Sequence, residues 1–350
     1  MSDNATTNQQ QQQMSTVPDE VIVDAIKNHA NIFHNINATE TYDSILNNIS
    51  DSTRFVFLGE STHGTEEYYQ FRSNITKLLM EKKGFNVLCI EGDWPNADNI
   101  RKYIRTADHS NFQNANDLLL NSFQSFPKWM WQNEVFRDLV EWMKQKNKAI
   151  KEEQKNGAFI DEINVYGLDL YSMSESQQKL EEFLDIVDPN LAKKARERYS
   201  CLKEFDGQHQ KYGRAANGKL KHLVDDIQKN LMKTLTDVQF GNREKETQYC
   251  LLGPDEQLSA EQNAEIVVNG EEYYRKSHSD DGGGVVTWNT RDQHSMFFIT
   301  YIQIFLFNVH ILIYVCISVF LTNKIIMYTH TYHNHRFDYN FVSGANDDAN

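Results

Sequence analysis

The sequence predicts an α/β fold with a mostly parallel central sheet flanked by helices. Three observations predict it. Three short, mostly apolar runs, near 54–58, 86–90 and 163–166, read as strands covered on both faces. The intervals between them carry helical periodicity. Each run is also followed within a few residues by an acid, Glu60, Glu91 or Asp169, as expected where strand ends border a polar cleft.

The first 17 residues are Gln- and Asn-rich and polar, a composition that cannot bury enough apolar surface to order itself. Order is expected from Pro18, a helix-start proline ahead of DEVIVDAIKNHANIF. The first strand, Arg54–Leu58, runs into Gly59, Glu60 and His63. A helix is predicted over Thr65–Lys83, with Lys82 and Lys83 in its last turn and Gly84 as its C-cap. Strand, helix, strand at this spacing is a βαβ unit, so the second strand, Asn86–Ile90, should run parallel to the first. Helices are predicted within Asp98–Arg105, Asn114–Phe123 and Asn133–Lys155. The last carries Val135, Phe136, Leu139, Val140 and Met143 at helical spacing. The third strand, Ile163–Tyr166, follows. Residues 175–275 then read as a charged, strandless helical insertion or cap.

Composition bounds the function. A net charge of −14, with basic residues interspersed among acids, excludes a nucleic-acid surface, which needs clustered Lys and Arg. Cys89, Cys201, Cys250 and Cys316 form no CxxC pair, which excludes a cysteine-based structural zinc site. No cofactor motif is present. The N-terminus lacks the pattern of a signal peptide, so the expected location is cytoplasmic.

In a parallel sheet the C-terminal strand ends share one edge, and ligands bind there. Glu60, His63, Glu91, Asp93 and Asp169 should therefore converge, provided the three strands are neighbours. A carboxylate and an imidazole at such an edge suit a hydrolytic centre, with His63 as general base and Glu60 or Glu91 orienting its ring. His63 read conservatively is a helix-start residue that satisfies a backbone group. His63 and Glu67, four apart on one helical turn, leave a divalent-metal alternative open, although no HExxH pattern or second histidine strengthens it. Arg72 lies two and a half turns along that helix and reads from spacing alone as a surface or ion-paired cation. Trp94, Trp129 and Trp131 are candidate aromatic walls, although aromatics at this density more often serve as core.

Several ordered motifs carry a family resemblance. They are LGESTHGTEEYYQFR (58–72), KGFNVLCIEGDWPNADNIRKYIR (83–105), FPKWMWQNEVFRDLVEW (126–142), VYGLDLYSM (165–173), VDPNLAKKARERYSC (187–201), EQNAEIVVNGEEYYR (261–275) and TWNTRDQHSM (287–296). With them the chain resembles the erythromycin esterase family over about residues 20–296. The resemblance implies an α/β domain over 18–296 that hydrolyses a small-molecule ester or lactone with histidine-activated water. It also implies His63 as the base, Glu60 and Glu91 as active-site carboxylates, and Arg72 and Arg291 as active-site arginines. Asp93, Trp94, Trp129 and Asp169 are expected to contact substrate.

The resemblance stops at Met296. The family continues through a helix into a further buried strand that ends in a Trp-Ala-His-Asn-x-His motif. Here residues 297–350 read as a tail foreign to the family, apolar to Leu321 and then polar and disordered. His333-Asn334-His335 matches the missing motif only superficially. Phe297–Leu321 is long and uncharged enough to span a bilayer of about 30 Å, which makes membrane association through this segment an alternative. Its bias toward Phe, Ile, Tyr, Asn and Lys, the residues of AT-rich codons, reads instead as a replaced end. On either reading the sheet is expected to lack a strand and expose an unpaired edge. An inactive homologue or fragment is thus the alternative to a working hydrolase.

Overall fold

The computed structural model describes residues 19–29, 35–60, 62–105, 112–125, 127–205, 207–240, 254–279, 283–305, 310–316, 327–333 and 336–341. Six strands form one sheet: β1 (Phe55–Glu60), β2 (Val87–Asp93), β3 (Asn164–Asp169), β4 (Ile311–Cys316), β5 (Met327–His333) and β6 (Arg336–Phe341). Their order is β3-β2-β4-β1-β5-β6. The first four are parallel; β5 runs antiparallel to β1 and pairs with β6.

The three predicted strands are present, each extended to include the acid that follows it. β1 and β2, however, are not neighbours. β4 lies between them, with Leu312 opposite Val56 on one side and Leu88 on the other. This corrects the expected gap in the sheet. ILIYVC is a run of β-branched and aromatic residues suited to a buried strand, and Ile311–Tyr314 are all 2% exposed or less. Tyr314 ties the strand to the helix over it: its hydroxyl bonds Thr76 Oγ1 at 2.5 Å and donates to the Arg72 carbonyl at 3.0 Å.

The described residues also form thirteen α-helices. They are α1 (Asp19–His29), α2 (Asp43–Asn47), α3 (Glu66–Lys83), α4 (Trp94–Arg105), α5 (Ala115–Ser122), α6 (Glu134–Lys155), α7 (Met173–Val187), α8 (Pro189–Arg198), α9 (Ser200–Lys203), α10 (His209–Asn217), α11 (Val224–Phe240), α12 (Pro254–Lys276) and α13 (Gly283–Phe305). Local chemistry sets several boundaries. Asn114 and Asn133 accept the backbone N–H three residues on, and so cap α5 and α6. Gly84 ends α3 in the left-handed region at φ 72°. Asp188 caps α8 at Leu191 N, so the Asp-Pro pair separates α7 from α8.

One hydrophobic core joins α2–α6 to one face of the sheet. A second core lies against the other face, where Trp94, Leu258, Ile266, Phe298, Ile299 and Ile302 cover β1–β4. Helices α7–α12 also enclose a core of their own, around Leu180, Tyr199, Leu231 and Val267.

Residues 297–305 and 311–316 therefore have a structural place. α13 continues past Met296 to Phe305 and buries three side chains under the sheet. The described parts of the candidate spanning segment Phe297–Leu321 belong to the end of α13 and to β4. Among the described residues no helix is long and apolar enough to cross a membrane. The polar end, expected to be disordered, contains the backbone pairing of β5 and β6. The Gln-rich start lies outside the described residues.

Candidate active site

The C-terminal ends of the parallel strands form one rim, as predicted. After β1 the chain turns through His63 and Gly64 into α3. Gly64 has φ +84°, and a Cβ there would stand 3.1 Å from the Trp129 ring. The glycine thus lets Trp129 lie over the turn, with its ring 6.4 Å from that of His63.

β2 reaches the rim through a bulge. Ile90 pairs with Gly167 and Asp93 with Asp169, so Glu91 and Gly92 together oppose Leu168. A Cβ at Gly167 would lie 2.4 Å from the Gly92 carbonyl oxygen, so the close approach requires glycine. Trp131 Nε1 donates to the Glu91 carbonyl at 2.9 Å and fixes the bulge.

Arg291, from α13, joins the strands. Its Nε donates to Asp169 Oδ1 at 2.7 Å, and its Nη2 contacts both Asp169 and Glu91. Its guanidinium stands 5.6 Å from the Tyr171 ring and 5.8 Å from that of Trp288. The Tyr171 backbone N–H donates to Asp93 Oδ1 at 3.0 Å.

Burial dominates the electrostatics. It raises Asp93 to about 7, helped by Asp169 and Glu175 and opposed by the Tyr171 and Ser172 N–H groups. It raises Asp169 to about 6, where Arg291 and His63 pull downward and Glu91 upward. Burial alone lowers Arg291, but Asp169 and Glu91 outweigh it and hold the guanidinium firmly charged.

Two cavities meet at His63. One, of about 240 Å³, is lined by His63, Glu91, Asp93, Asn96, Asp169, Tyr171 and Arg291 among others. The other, of about 650 Å³, is lined by His63, Gly64, Glu66, Tyr69, Trp129 and Glu134 among others.

His63, Glu91, Asp93, Asp169 and Arg291 are therefore brought together, and Trp129 walls the adjoining space. Glu60 ends β1 opposite Cys316, and its side chain lies outside the described residues. Two expectations are corrected. Trp94 is core: it is 1% exposed and stacks on Tyr166 at 5.5 Å, because its helix packs against β3. Arg72 is not a surface cation, and it is not among the residues described as lining the two cavities. It is 2% exposed, between the rings of Tyr69 and Tyr314 at 4.9 and 4.6 Å. The residues of the metal alternative lie as follows. Glu67 points to solvent, and no group of three or more potential ligands occurs among the described residues.

Sequence reasoning missed Asn96 and Tyr171. Tyr171 stands two residues after Asp169 in VYGLDLYSM, and that proximity was the available signal.

The profile of the family described as erythromycin esterase matches residues 80–306, well over half of the chain. The match begins after His63 and ends beyond Met296. Among solved structures, the chain is similar to a succinoglycan biosynthesis protein at 21% identity and TM-score 0.63, covering 85% of this chain and 66% of that one. It is similar to a Bacillus cereus protein at 17% identity and TM-score 0.63, with the same coverage. It is also similar to an erythromycin esterase mutant in its open conformation, at 15% identity and TM-score 0.57, covering 80% and 64%. The chain thus spans about two thirds of the length of these structures, and at such identities the likeness shows the mixed α/β fold alone. The profile match shows the family: the chain belongs to the erythromycin esterase family.

Proposed function

We propose that the chain hydrolyses a carboxylic ester or lactone of a small molecule, using water activated by His63. One observation carries this reading. His63, Glu91 and Arg291, residues of three separate segments, line a single cavity at the sheet's C-terminal edge. His63 takes the proton of water as its oxygen attacks the carbonyl carbon. Glu91 and Asp169 hold Arg291, and Arg291 supplies the positive charge toward which the oxyanion develops. Arg72 holds α3 against β4 through its aromatic neighbours, so the oxyanion role falls to Arg291. The larger cavity beyond His63, with the half-exposed Trp129 as its wall, accepts the bulk of the substrate.

A lactone-opening assay on the full chain tests this reading. His63→Asn is expected to reduce kcat by about 10²–10⁴. Undiminished turnover in that variant refutes the mechanism.

A second reading, an inactive homologue, is favoured by one observation. β4 ends beside Glu60, and the five residues that follow, ISVFL, include no histidine. The same assay, run beside a version carrying the family's C-terminal histidine motif, separates the two. Activity only in the repaired chain selects the inactive reading.

A further inference from the structure

The 240 Å³ cavity holds more acids than it has cations to match. Glu91 and Asp169 share Arg291. Asp93 takes no part in that ion pair: it sits opposite Asp169 across the strand pairing and accepts a backbone N–H from Tyr171. The groups that act on it include Asp169 from β3, Glu175 from α7 and Tyr274 from α12. Glu91, His63 and Arg291 share its cavity. Three carboxyls of the cavity thus share one guanidinium, and Glu175, which has Lys179 near it, adds a further negative charge that acts on Asp93. Like charges this close in a buried site cannot all ionise, and the proton stays where no cation compensates its loss. Glu91 and Asp169 are the partners of Arg291, so the proton belongs on Asp93. Its elevation to about 7 agrees with that placement.

Hydrolysis of an unactivated ester or lactone needs a proton at the departing oxygen, because an alkoxide is a poor leaving group. His63 works on the water, so a second group must supply that proton. We infer that Asp93 is the general acid of this site, protonating the alcohol oxygen as its bond to the carbonyl carbon breaks. This role rests on the hydrolase reading above. The step balances. The water oxygen bonds to carbon while its proton passes to His63. The tetrahedral adduct then collapses, the electrons of the breaking C–O bond go to the alcohol oxygen, and the Asp93 proton joins it. Asp93, left as carboxylate, is reprotonated by the His63 imidazolium through solvent. The sum is one water consumed, with acid and alcohol released. Asp93 and His63 both line the cavity, so an ester bound there can meet base and acid together.

The test is leaving-group dependence. Wild type and Asp93→Asn are assayed on esters of one acyl group whose alcohols run from para-nitrophenol, which departs unaided, to ethanol. In Asp93→Asn, kcat on the ethyl ester is expected to fall about 10²–10⁴-fold, and on the para-nitrophenyl ester by no more than about tenfold. The wild-type fall in kcat on the ethyl ester as pH rises through the donor's titration should vanish in the variant. Equal losses across the series, or none on the ethyl ester, overturn the assignment. Asp93→Glu, which keeps a proton donor, should restore part of the ethyl-ester rate and serves if Asp93→Asn does not fold. Infrared spectroscopy of the full chain with carboxyl-labelled aspartate supplies a readout apart from turnover. A protonated-carboxyl band near neutral pH should be present in wild type and absent from Asp93→Asn. Turnover of no ester in the series refutes the hydrolase reading, whereas absence of the band refutes the proton on Asp93.

Discussion

Truncating Leu312 to alanine measures whether β4 is a working part of the sheet. Leu312 is fully buried in the main core, opposite Val56 on β1 and Leu88 on β2. Leu→Ala in a core costs about 2–5 kcal/mol, the upper part of the range applying where the surroundings cannot close on the cavity. Here backbone hydrogen bonds hold the strand on both sides, and helices cover the face, so the site cannot collapse. A loss of about 3–5 kcal/mol is expected, a large fraction of the 5–15 kcal/mol that usually stabilises a domain. Urea denaturation of Leu312→Ala and wild type gives the value. Phe297→Ala is the control, because that side chain is 55% exposed on the adjoining helix and should cost within about 0.5 kcal/mol. A Leu312→Ala loss no larger than the control's, at unchanged slope, refutes the placement of 311–316 between β1 and β2.

Two further outcomes follow from buried charge. Arg291→Leu leaves Glu91 and Asp169 without their shared cation, at an expected cost of about 3–5 kcal/mol at pH 8. Part of that cost should return at pH 5, where Asp169, raised by burial to about 6, takes up a proton, so equal losses in thermal melts at the two pH values contradict the ion pair. His294 is buried at the face of α13 that meets Asn269, and burial lowers it to about 4. The unfolded chain binds its proton at about 6.5, so between those values the unfolded state holds more protons and stability rises with pH. His294→Gln should remove up to about 3 kcal/mol of that rise from the urea midpoint profile between pH 4 and 7, and a profile parallel to wild type contradicts it.

The legible parts of the fold were those fixed by local chemistry. The strand before Glu60 and the Gly84 cap announce themselves through apolar runs and a glycine at a helix end. The convergence of His63, Glu91, Asp93 and Asp169 followed from one rule about parallel sheets. What sequence could not order was the sheet itself. A βαβ unit is equally satisfied by adjacent strands and by strands with another between them, and nothing in β1 or β2 records a partner some 250 residues away. The same blindness misread the tail: an uncharged run of Ile, Phe, Tyr and Val fits a membrane span and a central strand alike. Only its register against Val56 and Leu88 separates the two. Arg72 and Trp94 were misplaced because linear spacing gives no account of which helix face meets the sheet.

The insertion of β4 also sets the reach of the site. Neighbouring strands lie about 4.8 Å apart, so one intervening strand separates the ends of β1 and β2 by about 10 Å. β1 leads into the turn that carries His63 and β2 ends in Glu91 and Asp93, so β4 sets these two segments one strand further apart. Direct pairing of β1 with β2 would halve that separation and, on the mechanism proposed above, leave less room for an ester between His63 and Asp93. On that mechanism β4 would contribute to the chemistry through spacing. Its own end, beside Glu60, carries no histidine, and the mechanism proposed above draws its base, acid and cation from other segments: His63, Asp93 and Arg291. The demand that this arrangement places on the residues after Met296 is spatial, a strand of the right length and apolarity to hold β1 and β2 apart.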